Sequence, residues 1–362
     1  MTEVLLKELS NSDINWMITT GLQREIAAGT VIIQEGKATD TLHLVLDGAL
    51  VVTVSQADNN PLGRAFAAIE GDEIKEREIA RLSSGEIVGE IPFINVRPTA
   101  ATVRAAEKSL VISIPQQELA VKLQMDVGFA CRFYRAIAIL LSNRITQLGR
   151  NKLVQREALR DMLFVLGQLH DSDIDWLIAT GTSQKIAANT VLIGEGGPVD
   201  ALYILLDGTM TVSVSEDERN PLTRAFAALE GEETRSREIA KLSKGEIVGE
   251  TAFIDTRLPF ATVRATGNSL VLLIPRQQLA AKLQQDIGFA SRFYQVIATL
   301  LANRLQKMFS RLGYGRRIYS KGQPLDENVE YEDQLDSHVL DGMALAGTKF
   351  DWMLSRLRNS SD

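Results

Sequence analysis

The stretch GEIVGEIPFINVRPTAATV, residues 85–103, decides the fold of this chain, and it returns as GEIVGETAFIDTRLPFATV at residues 245–263. In each copy two glycines enclose a short run, an apolar turn follows, and Ala-Thr-Val leads back into a strand. Glycine lets the backbone turn so that main-chain N–H groups face inward, and a row of such groups forms a concave anion site. Glu90 and Glu250 bring a carboxylate to the same concavity, where it can accept hydrogen bonds from hydroxyl groups. The stretch therefore predicts a loop closed around a small ligand.

This pattern resembles the phosphate-binding cassette of the cyclic nucleotide-binding domain family. The resemblance implies that the glutamate accepts from ribose hydroxyls and that an arginine nine positions later neutralises the cyclic phosphate. Thr99 and Pro259 stand at the two arginine positions, so both copies depart from the family there. Arg97 and Arg257, two residues earlier, either substitute for that arginine or face solvent. The candidate ligand-binding residues are Gly89, Glu90, Ile91, Arg97, Thr99, Ala100, Ala101, Gly249, Glu250, Thr251, Arg257, Ala261 and Thr262.

The bulk composition is that of an ordinary globular protein of 362 residues, 45% hydrophobic and with a net charge of −7. Two domains are the expectation at this length. An acidic chain offers no electrostatic footprint for nucleic acid or for an anionic membrane. One cysteine excludes an intrachain disulfide and a cysteine-based metal site. No apolar stretch approaches the roughly 20 residues of a membrane span, and the N-terminus has no signal pattern. We therefore predict a cytoplasmic protein with no membrane insertion and no nucleic-acid partner.

An internal repeat organises the chain. About 78 of the 140 positions from 11 to 150 are identical to the residue 160 further on, without a gap. A period this long indicates two tandem domains, predicted at residues 1–155 and 156–312. Residues 313–362 are predicted as an acidic linker and a short amphipathic helix. The ligand-facing segment, residues 91–100, agrees with its copy at only three positions, which indicates that the two pockets differ.

Hydrophobic periodicity predicts the elements of each copy. Residues 1 to about 26 show a helical pattern, and after Gly29 the period becomes two, as in short strands. A final strand ends at Pro115, and residues 116–155 return to a helical pattern with a wide apolar stripe. The predicted fold is mainly β with flanking helices: two tandem jelly-roll-like β-barrels, each followed by a long C-terminal helix. The inserts 55–77 and 215–237 are either elaborated turns or partner-binding elements.

The long helices carry a matched apolar stripe in the two copies. Its members are Phe133, Ile137, Leu141 and Ile145 in the first copy, and Phe293, Ile297, Leu301 and Leu305 in the second. In single-domain relatives such helices pair between chains, as the family resemblance implies. The stripes here predict an internal pseudo-dimer or a homo-oligomer formed through the long helices.

The C-terminal segment carries five large apolar residues within eight positions. They are Phe350, Trp352, Met353, Leu354 and Leu357. Thr348 with Asp351 fits a loose capping box, which predicts that a helix begins there. The helix either docks back on its own barrel or binds a protein partner, with the acidic linker giving it reach. We predict the partner-binding role.

Catalytic signatures are sparse in the sequence. The three histidines are scattered, and His43 stands at a strand position matched by Tyr203, which favours a packing role. No nucleophile, base or metal-ligand constellation stands out, so we predict no catalytic residues, no metal and no cofactor. The predicted function is a non-enzymatic regulatory or scaffold protein with degenerate cassettes that acts through protein–protein contacts. The alternative is a sensor of a cyclic nucleotide or another anionic metabolite, with a non-standard anion site.

Overall fold

The computed structural model describes residues 4–55, 76–95, 99–150, 158–159, 167–216, 236–255, 257–312 and 337–359. It divides into two compact units: residues 1–148 with 301–337, and residues 149–300 with 338–362. Arg97, the acidic linker and nearly all of the two inserts lie outside the described residues. In the described part of the chain, no helix is both long enough and apolar enough to cross a membrane.

The first copy of the repeat contains two four-stranded antiparallel sheets and the helices that flank them. Its helices are α1 Val4–Glu8, α2 Asn11–Thr20, α3 Glu90–Asn95, α4 Gln116–Met125 and α5 Val127–Arg150. Its strands are β1 Leu22–Ile26, β2 Val31–Ile33, β3 Thr41–Asp47, β4 Ala49–Ser55, β5 Glu76–Ser83, β6 Ile87–Val88, β7 Thr102–Ala105 and β8 Ser109–Pro115. One sheet has the order β1-β8-β3-β6 and the other β2-β7-β4-β5.

The period-two pattern correctly located the strands after Gly29. Leu42 pairs with Ile114, and both side chains are completely buried. A register shift between Val45 and Asp47 interrupts the alternation, because such an irregularity changes which residues face the core. The ends of β4 and β5 pair at Ser55 and Glu76, so the first insert connects two neighbouring strands.

The predicted helix over residues 1 to about 26 was wrong at its C-terminal end. Helix α2 ends at Thr20, and residues 22–26 form β1, an edge strand that pairs with β8. Gly21 stands at this boundary and packs closely against β8, since an added Cβ there would lie 2.2 Å from Cγ2 of Ile112. Four of the five β1 residues are exposed. An edge strand with so little burial carries no alternating pattern, which explains why the sequence did not reveal it.

The predicted helical segment after β8 is two helices, α4 and α5, separated by Asp126. The Oδ1 atom of Asp126 accepts a hydrogen bond from the Phe129 N–H at 2.8 Å, which caps the start of α5. Arg132 of α5 then makes a bidentate ion pair with the buried Asp13 of α2, at 2.7 and 2.9 Å. These contacts fix the N-terminal half of α5 against the unit.

The second copy repeats this plan. Its helices are α6 Asp171–Thr180, α7 Arg276–Gln285, α8 Ile287–Leu312 and α9 Ser337–Asn359. Its strands are β9 Ala158–Leu159, β10 Thr182–Ile186, β11 Val191–Ile193, β12 Ala201–Asp207, β13 Met210–Ser215, β14 Ser236–Leu242, β15 Ile247–Val248, β16 Thr262–Ala265 and β17 Ser269–Pro275. The sheets are β10-β17-β12-β15 and β11-β16-β13-β14-β9, the last strand being parallel to β14. The prediction of two tandem β-rich domains, each followed by a long helix, is confirmed; the described strands of each copy form two separate sheets and not one closed barrel.

The C-terminal helix differs from its prediction in where it begins. Helix α9 begins at Ser337, well before the capping box that the sequence suggested at Thr348. Residues 343–346, just before Gly347, are Met, Ala, Leu and Ala, which are all good helix formers. Their propensity carries the helix through Gly347 and Thr348, so no new helix starts there.

Candidate functional site

Gly89 shapes the entrance to the first cassette. Its φ of +92° lies in the left-handed region, and an added Cβ would be 2.5 Å from the carbonyl oxygen of Thr41. Gly249 repeats both features, with φ +86° and the Ala201 carbonyl oxygen at 2.6 Å. Glycine is therefore required twice over at each copy, by backbone conformation and by close approach.

Glu86, the first glutamate of the motif, closes a turn. Its Oε2 atom accepts from the Ser83 N–H at 2.7 Å and from the Ser83 hydroxyl at 3.2 Å, and the residue is 3% exposed. These bonds hold the turn between β5 and β6, which aims the following Gly89 and Glu90. Glu86 is thus a positioning residue of the cassette.

Glu90, the second glutamate, forms a buried ion pair with Arg144 of α5. One guanidinium NH₂ group of Arg144 donates to Oε1 of Glu90, and the other donates to the carbonyl of Ile87. Both partners are at least nine-tenths buried. The remaining Oε2 of Glu90 and Nε of Arg144 are buried without a hydrogen-bond partner. The carboxylate that the family resemblance assigns to ribose hydroxyls is therefore half engaged by the protein itself.

Sequence reasoning missed Arg144. It lies 54 residues after Glu90 and inside a helix whose pattern looks purely structural. A signal was present, however: in the stretch 141–150 only Leu141, Asn143 and Arg144 recur in the second copy. A polar pair retained where most of the surrounding residues changed is the feature that could have marked this position.

Thr99, at the family's arginine position, is tied to a neighbouring turn. Its hydroxyl donates to the carbonyls of Gln34 and Lys37 at 2.5 and 3.0 Å, and its own carbonyl accepts from the Gly36 N–H at 2.8 Å. In the second copy the carbonyl of Pro259 accepts from Gly196 at 2.8 Å in the same way. Both residues brace the turn that follows the second strand, and neither carries a charge.

Six of the predicted residues line one small cavity in the first unit, and Arg144 joins them. The predicted residues are Gly89, Glu90, Ile91, Thr99, Ala100 and Ala101. The cavity has a volume of about 50 Å³, and its other walls are aliphatic residues and a proline. Small-molecule sites are usually about 300–1,000 Å³, whereas a space of this size holds a few water molecules. As lined by the described residues, the cavity is smaller than a usual small-molecule site.

The second cassette has a different local structure. Glu250 begins a short 3₁₀ turn, Glu250–Phe253, where the first copy has the α-helix α3. Glu250 and Ala261 are buried, while Thr251 and Thr262 are half-buried. The Thr262 hydroxyl accepts from the Glu195 N–H at 3.1 Å, as Thr102 does from Glu35 in the first copy. The expected difference between the two pockets is thus visible in the backbone.

Arg257 and Arg276 both lie near the second cassette. Arg257 is 46% exposed and donates to Asp255, with 2.7 Å between its Nε and the Oδ2 atom. Arg276, which the sequence did not single out, donates to the carbonyls of Ala252 and Val199, both at 3.3 Å. Arg257 is thus ion-paired with Asp255, whereas Arg276 contacts the backbone of the cassette at Ala252.

The candidate partner-binding residues of α9 are largely buried within the second unit. Phe350 and Met353 are each 1% exposed and Leu357 is buried, while Trp352 and Leu354 are half-buried. Among the two alternatives left by the sequence, this arrangement corresponds to docking on the chain's own domain. A partner that uses these side chains has to displace the helix from that position.

Polar contacts of α9 accompany the apolar packing. The Lys349 ammonium group donates to the Leu169 carbonyl at 2.5 Å and lies 3.7 Å from the Asp171 carboxylate. Lys244 lies 5.2 Å from the Phe350 ring centroid, within cation–π range. These contacts connect α9 to the start of α6 and to the turn after β14.

His43 is a packed residue in the first unit. It is 8% exposed, and its Nδ1 atom lies 3.0 Å from the Ser113 hydroxyl in the neighbouring strand. Burial lowers the pKa of the imidazole to about 4, so the ring is neutral at physiological pH. The structure thus agrees with the packing role expected from the sequence.

Comparison with known proteins finds a family match in each of the two copies. Residues 23–126 and 183–286, together more than half of the chain, match the family model described as cyclic nucleotide-binding domain. A cAMP-dependent protein kinase type II regulatory subunit of Drosophila melanogaster is 20% identical over 269 residues, 74% of this chain and 56% of that protein. A cAMP-dependent protein kinase regulatory subunit of Blastocladiella emersonii is 23% identical over 263 residues, 73% of this chain and 52% of that protein. The chain therefore spans about half the length of these relatives.

Among solved structures, the regulatory subunit of a cAMP-independent protein kinase A from Trypanosoma cruzi bound to guanosine is 17% identical. The match covers 79% of this chain and 81% of that one, with a TM-score of 0.28. The family model, the two copies of the cassette and the paired antiparallel sheets lead to one conclusion. This chain belongs to the cyclic nucleotide-binding domain family and carries two of its domains in tandem.

Proposed function

We propose that this protein is a non-enzymatic regulatory module whose two cassettes do not bind cyclic nucleotides with useful affinity, and that it acts through contacts with another protein. The observation that carries the proposal is the state of Glu90. Its carboxylate is paired with Arg144, while the nearby arginine position is held by Thr99. The two groups that the family uses for ribose and phosphate are thus engaged or replaced.

Charge argues against a cyclic phosphate in the first cassette. A buried phosphate monoanion needs charge-assisted hydrogen bonds, which are roughly twice as strong as neutral ones. Arg144 is the cation that the described residues bring to the cavity, and Glu90 already neutralises it. A phosphate would have to compete with a buried carboxylate for the same guanidinium. Size adds to this argument, because the cavity of 50 Å³ would have to open several-fold.

The comparisons favour a second protein as the partner through which this module acts. The relatives from Drosophila melanogaster and Blastocladiella emersonii are named as regulatory subunits of a protein kinase. Tandem domains of this kind offer two scaffolds on which a second protein can be held. We therefore propose regulation by protein contact, with the identity of the partner open to capture experiments.

Calorimetric titration of the full chain with cAMP, cGMP and cyclic di-GMP tests the proposal. We expect no heat of binding with ligand up to millimolar concentration, and no ligand-induced rise in melting temperature. Micromolar binding of any of the three would contradict the degenerate cassettes. In that case Arg144→Gln and Arg276→Gln identify the cassette responsible, since Arg144 contacts Glu90 of the first cassette and Arg276 contacts the Ala252 carbonyl of the second.

A further inference from the structure

We infer that the second domain carries a docking site for an amphipathic helix, built by residues that the first domain lacks, and that α9 occupies this site as an exchangeable cover. The partner that fits the site is a helix with the pattern of α9, an apolar face with basic residues at its two ends. The inference deepens the proposed function and rests on it for the existence of an outside partner.

One face of α9 makes the apolar contact with the second domain. Phe350, Met353 and Leu357 lie at i, i+3 and i+7 of the helix and are buried, whereas Asp351 and Ser355 are exposed. Burial of apolar surface is the main driving force for such packing. These three side chains therefore hold α9 on the domain.

Two basic residues of α9 meet two carboxylates of α6. The Lys349 ammonium group lies 3.7 Å from the Asp171 carboxylate and 3.4 Å from the carbonyl oxygen of Gly167. The guanidinium of Arg356, two turns further along α9, lies 3.4 Å from Oδ1 of Asp175. Asp171 and Asp175 are one turn apart on α6, so each cation of α9 has its own carboxylate on the domain.

The first domain does not offer the same contacts. In the described part of the chain, the polar and ring contacts of Lys349, Phe350 and Arg356 with the second domain involve five of its residues. These are Gly167, Leu169, Asp171, Asp175 and Lys244, and their counterparts in the first copy are Lys7, Leu9, Asn11, Asn15 and Ser84. Four of the five pairs differ in charge, although more than half of the aligned positions are identical. Each difference removes an attraction for α9 or, with Lys7, brings a second cation to the place of Lys349.

The ion pairs themselves are too exposed to hold the helix. The side chains of Asp171 and Arg356 are 79% and 57% exposed, and ion pairs in such positions are weak because water and salt screen them. Charges of this kind instead select a surface, by favouring a complementary one over a neutral or like-charged one. The apolar face thus supplies the affinity, and the charges direct α9 to the second domain. A helix of the same pattern from another protein competes for the same site.

Hydrogen exchange on the full chain tests the choice of domain. The triple variant Asp171→Asn, Asp175→Asn and Lys244→Ser gives the second domain the residues of the first. We expect amides of residues 349–357 to exchange at least about tenfold faster, because each of the three contacts contributes a factor of about two to five. Strands of the same domain should keep their protection.

The matched control makes the opposite changes in the first domain. Asn11→Asp, Asn15→Asp and Ser84→Lys, combined in one chain, should leave the exchange of residues 349–357 as it is in the unaltered protein. Added sodium chloride should accelerate exchange of these amides in the unaltered protein and have less effect in the second-domain variant, because salt screens the contacts that the variant lacks.

A labelled peptide of residues 337–359, added in trans, tests the class of partner. Full-length Phe350→Ala, used below its melting temperature, has a weakened α9 of its own and leaves the site open more often. By fluorescence anisotropy, the peptide should bind this variant at least about tenfold more tightly than the unaltered protein. Adding the three second-domain changes to Phe350→Ala should weaken peptide binding by at least about tenfold.

Unchanged exchange of α9 in the second-domain triple variant would overturn the inference. Equal peptide affinity for the unaltered protein and Phe350→Ala, or no peptide binding to Phe350→Ala, would also overturn it, since the vacated site should accept the helix. The two proposals fail separately. Nucleotide binding by the unaltered protein would contradict the degenerate cassettes and leave the docking site in place, whereas failure of the exchange and peptide tests would remove the docking site and leave the nucleotide titration unaffected.

Discussion

Gly89 and Gly29 both have left-handed backbone conformations, but only Gly89 has close neighbours. Comparing alanine substitutions at the two positions therefore separates the cost of backbone strain from the cost of a steric clash. Gly29 has φ +81° and nothing within 4 Å of an added Cβ, whereas a Cβ on Gly89 would meet the Thr41 carbonyl. We expect Gly29→Ala to cost about 1 kcal/mol of unfolding free energy. Gly89→Ala should cost about 1–2 kcal/mol more, because backbone has to move. Urea denaturation measures both, and equal losses would mean that the close approach is easily relieved.

We expect the hydroxyl group of Thr99 to contribute to the stability of the fold. The buried Thr99→Val variant keeps the shape but leaves the carbonyls of Gln34 and Lys37 without this donor. We predict a loss of about 1–3 kcal/mol in unfolding free energy. The exposed Thr19, whose hydroxyl bonds within its own helix, serves as the control, and Thr19→Val should change stability by less than about 0.5 kcal/mol. A neutral Thr99→Val would show that the turn does not depend on this residue.

Asp13 makes the first unit sensitive to acid. Burial alone would raise the pKa of its carboxyl, but hydrogen bonds from Arg132 and Ser10 outweigh it and lower the pKa to about 2. A carboxyl whose pKa is depressed by folding contributes stability that is present above pH 4 and is lost between about pH 4 and pH 2. With solvent screening allowed for, we expect a contribution of about 1–2 kcal/mol at pH 7.

Denaturation curves from pH 7 to pH 2 check this expectation. Asp13→Asn should be less stable than the unaltered protein at pH 7, and the difference should shrink as the pH falls through 4 towards 2. The exposed Asp47→Asn is the surface control. A stability difference that stays constant over this range would rule out titration of Asp13 as its cause.

At the scale of elements, helix α9 gives the sharpest prediction. Phe350 is 1% exposed, and replacing a fully buried phenylalanine by alanine usually costs about 3–5 kcal/mol. Phe350→Ala should therefore lower the melting temperature of the second unit by several degrees, whereas Leu345→Ala, at a 51% exposed position of the same helix, should not. If Phe350→Ala left melting unchanged but abolished capture of a protein partner, the helix would be a tethered docking element.

The elements also show how far sequence reasoning reaches. Strands with one buried face, such as β3 and β8, were predicted because alternation is a property of the local sequence. Edge strand β1 was not, because its residues are mostly exposed and its identity depends on pairing with β8. The start of α9 was misplaced because helix propensity before Thr348 outweighed a local capping pattern. Pairing between distant segments decides the first case, and a local pattern does not contain it.

The same distinction between local and long-range information applies to the candidate site. The cassette residues of the first copy could be listed from the motif, and they line one cavity with Arg144. The pairing of Glu90 with Arg144 could not be predicted, because it depends on the register of a helix 54 residues away. The motif supplied the position of the carboxylate, and only the tertiary structure supplied what it binds.

For the whole molecule, the repeat preserves the scaffold and varies the cassette. The ion pair between the first long helix and α2 recurs in the second copy as Arg292 with Asp173, at 2.6 and 2.8 Å. The cassettes, by contrast, begin with an α-helix in one copy and a 3₁₀ turn in the other. Two copies that keep their supports and change their ligand-facing loops are expected to have different duties.

The apolar stripes of α5 and α8 bear on the assembly of the molecule. All eight stripe residues, Phe133, Ile137, Leu141, Ile145, Phe293, Ile297, Leu301 and Leu305, are buried within a single chain. Apolar surface that is already removed from water cannot drive association through a second chain. The sequence prediction of an internal pseudo-dimer therefore leads us to expect a monomer of 39.8 kDa by light scattering, independent of concentration. A mass of two chains that persists on dilution, with crosslinks joining these helices of different molecules, would show that the stripes pair between chains.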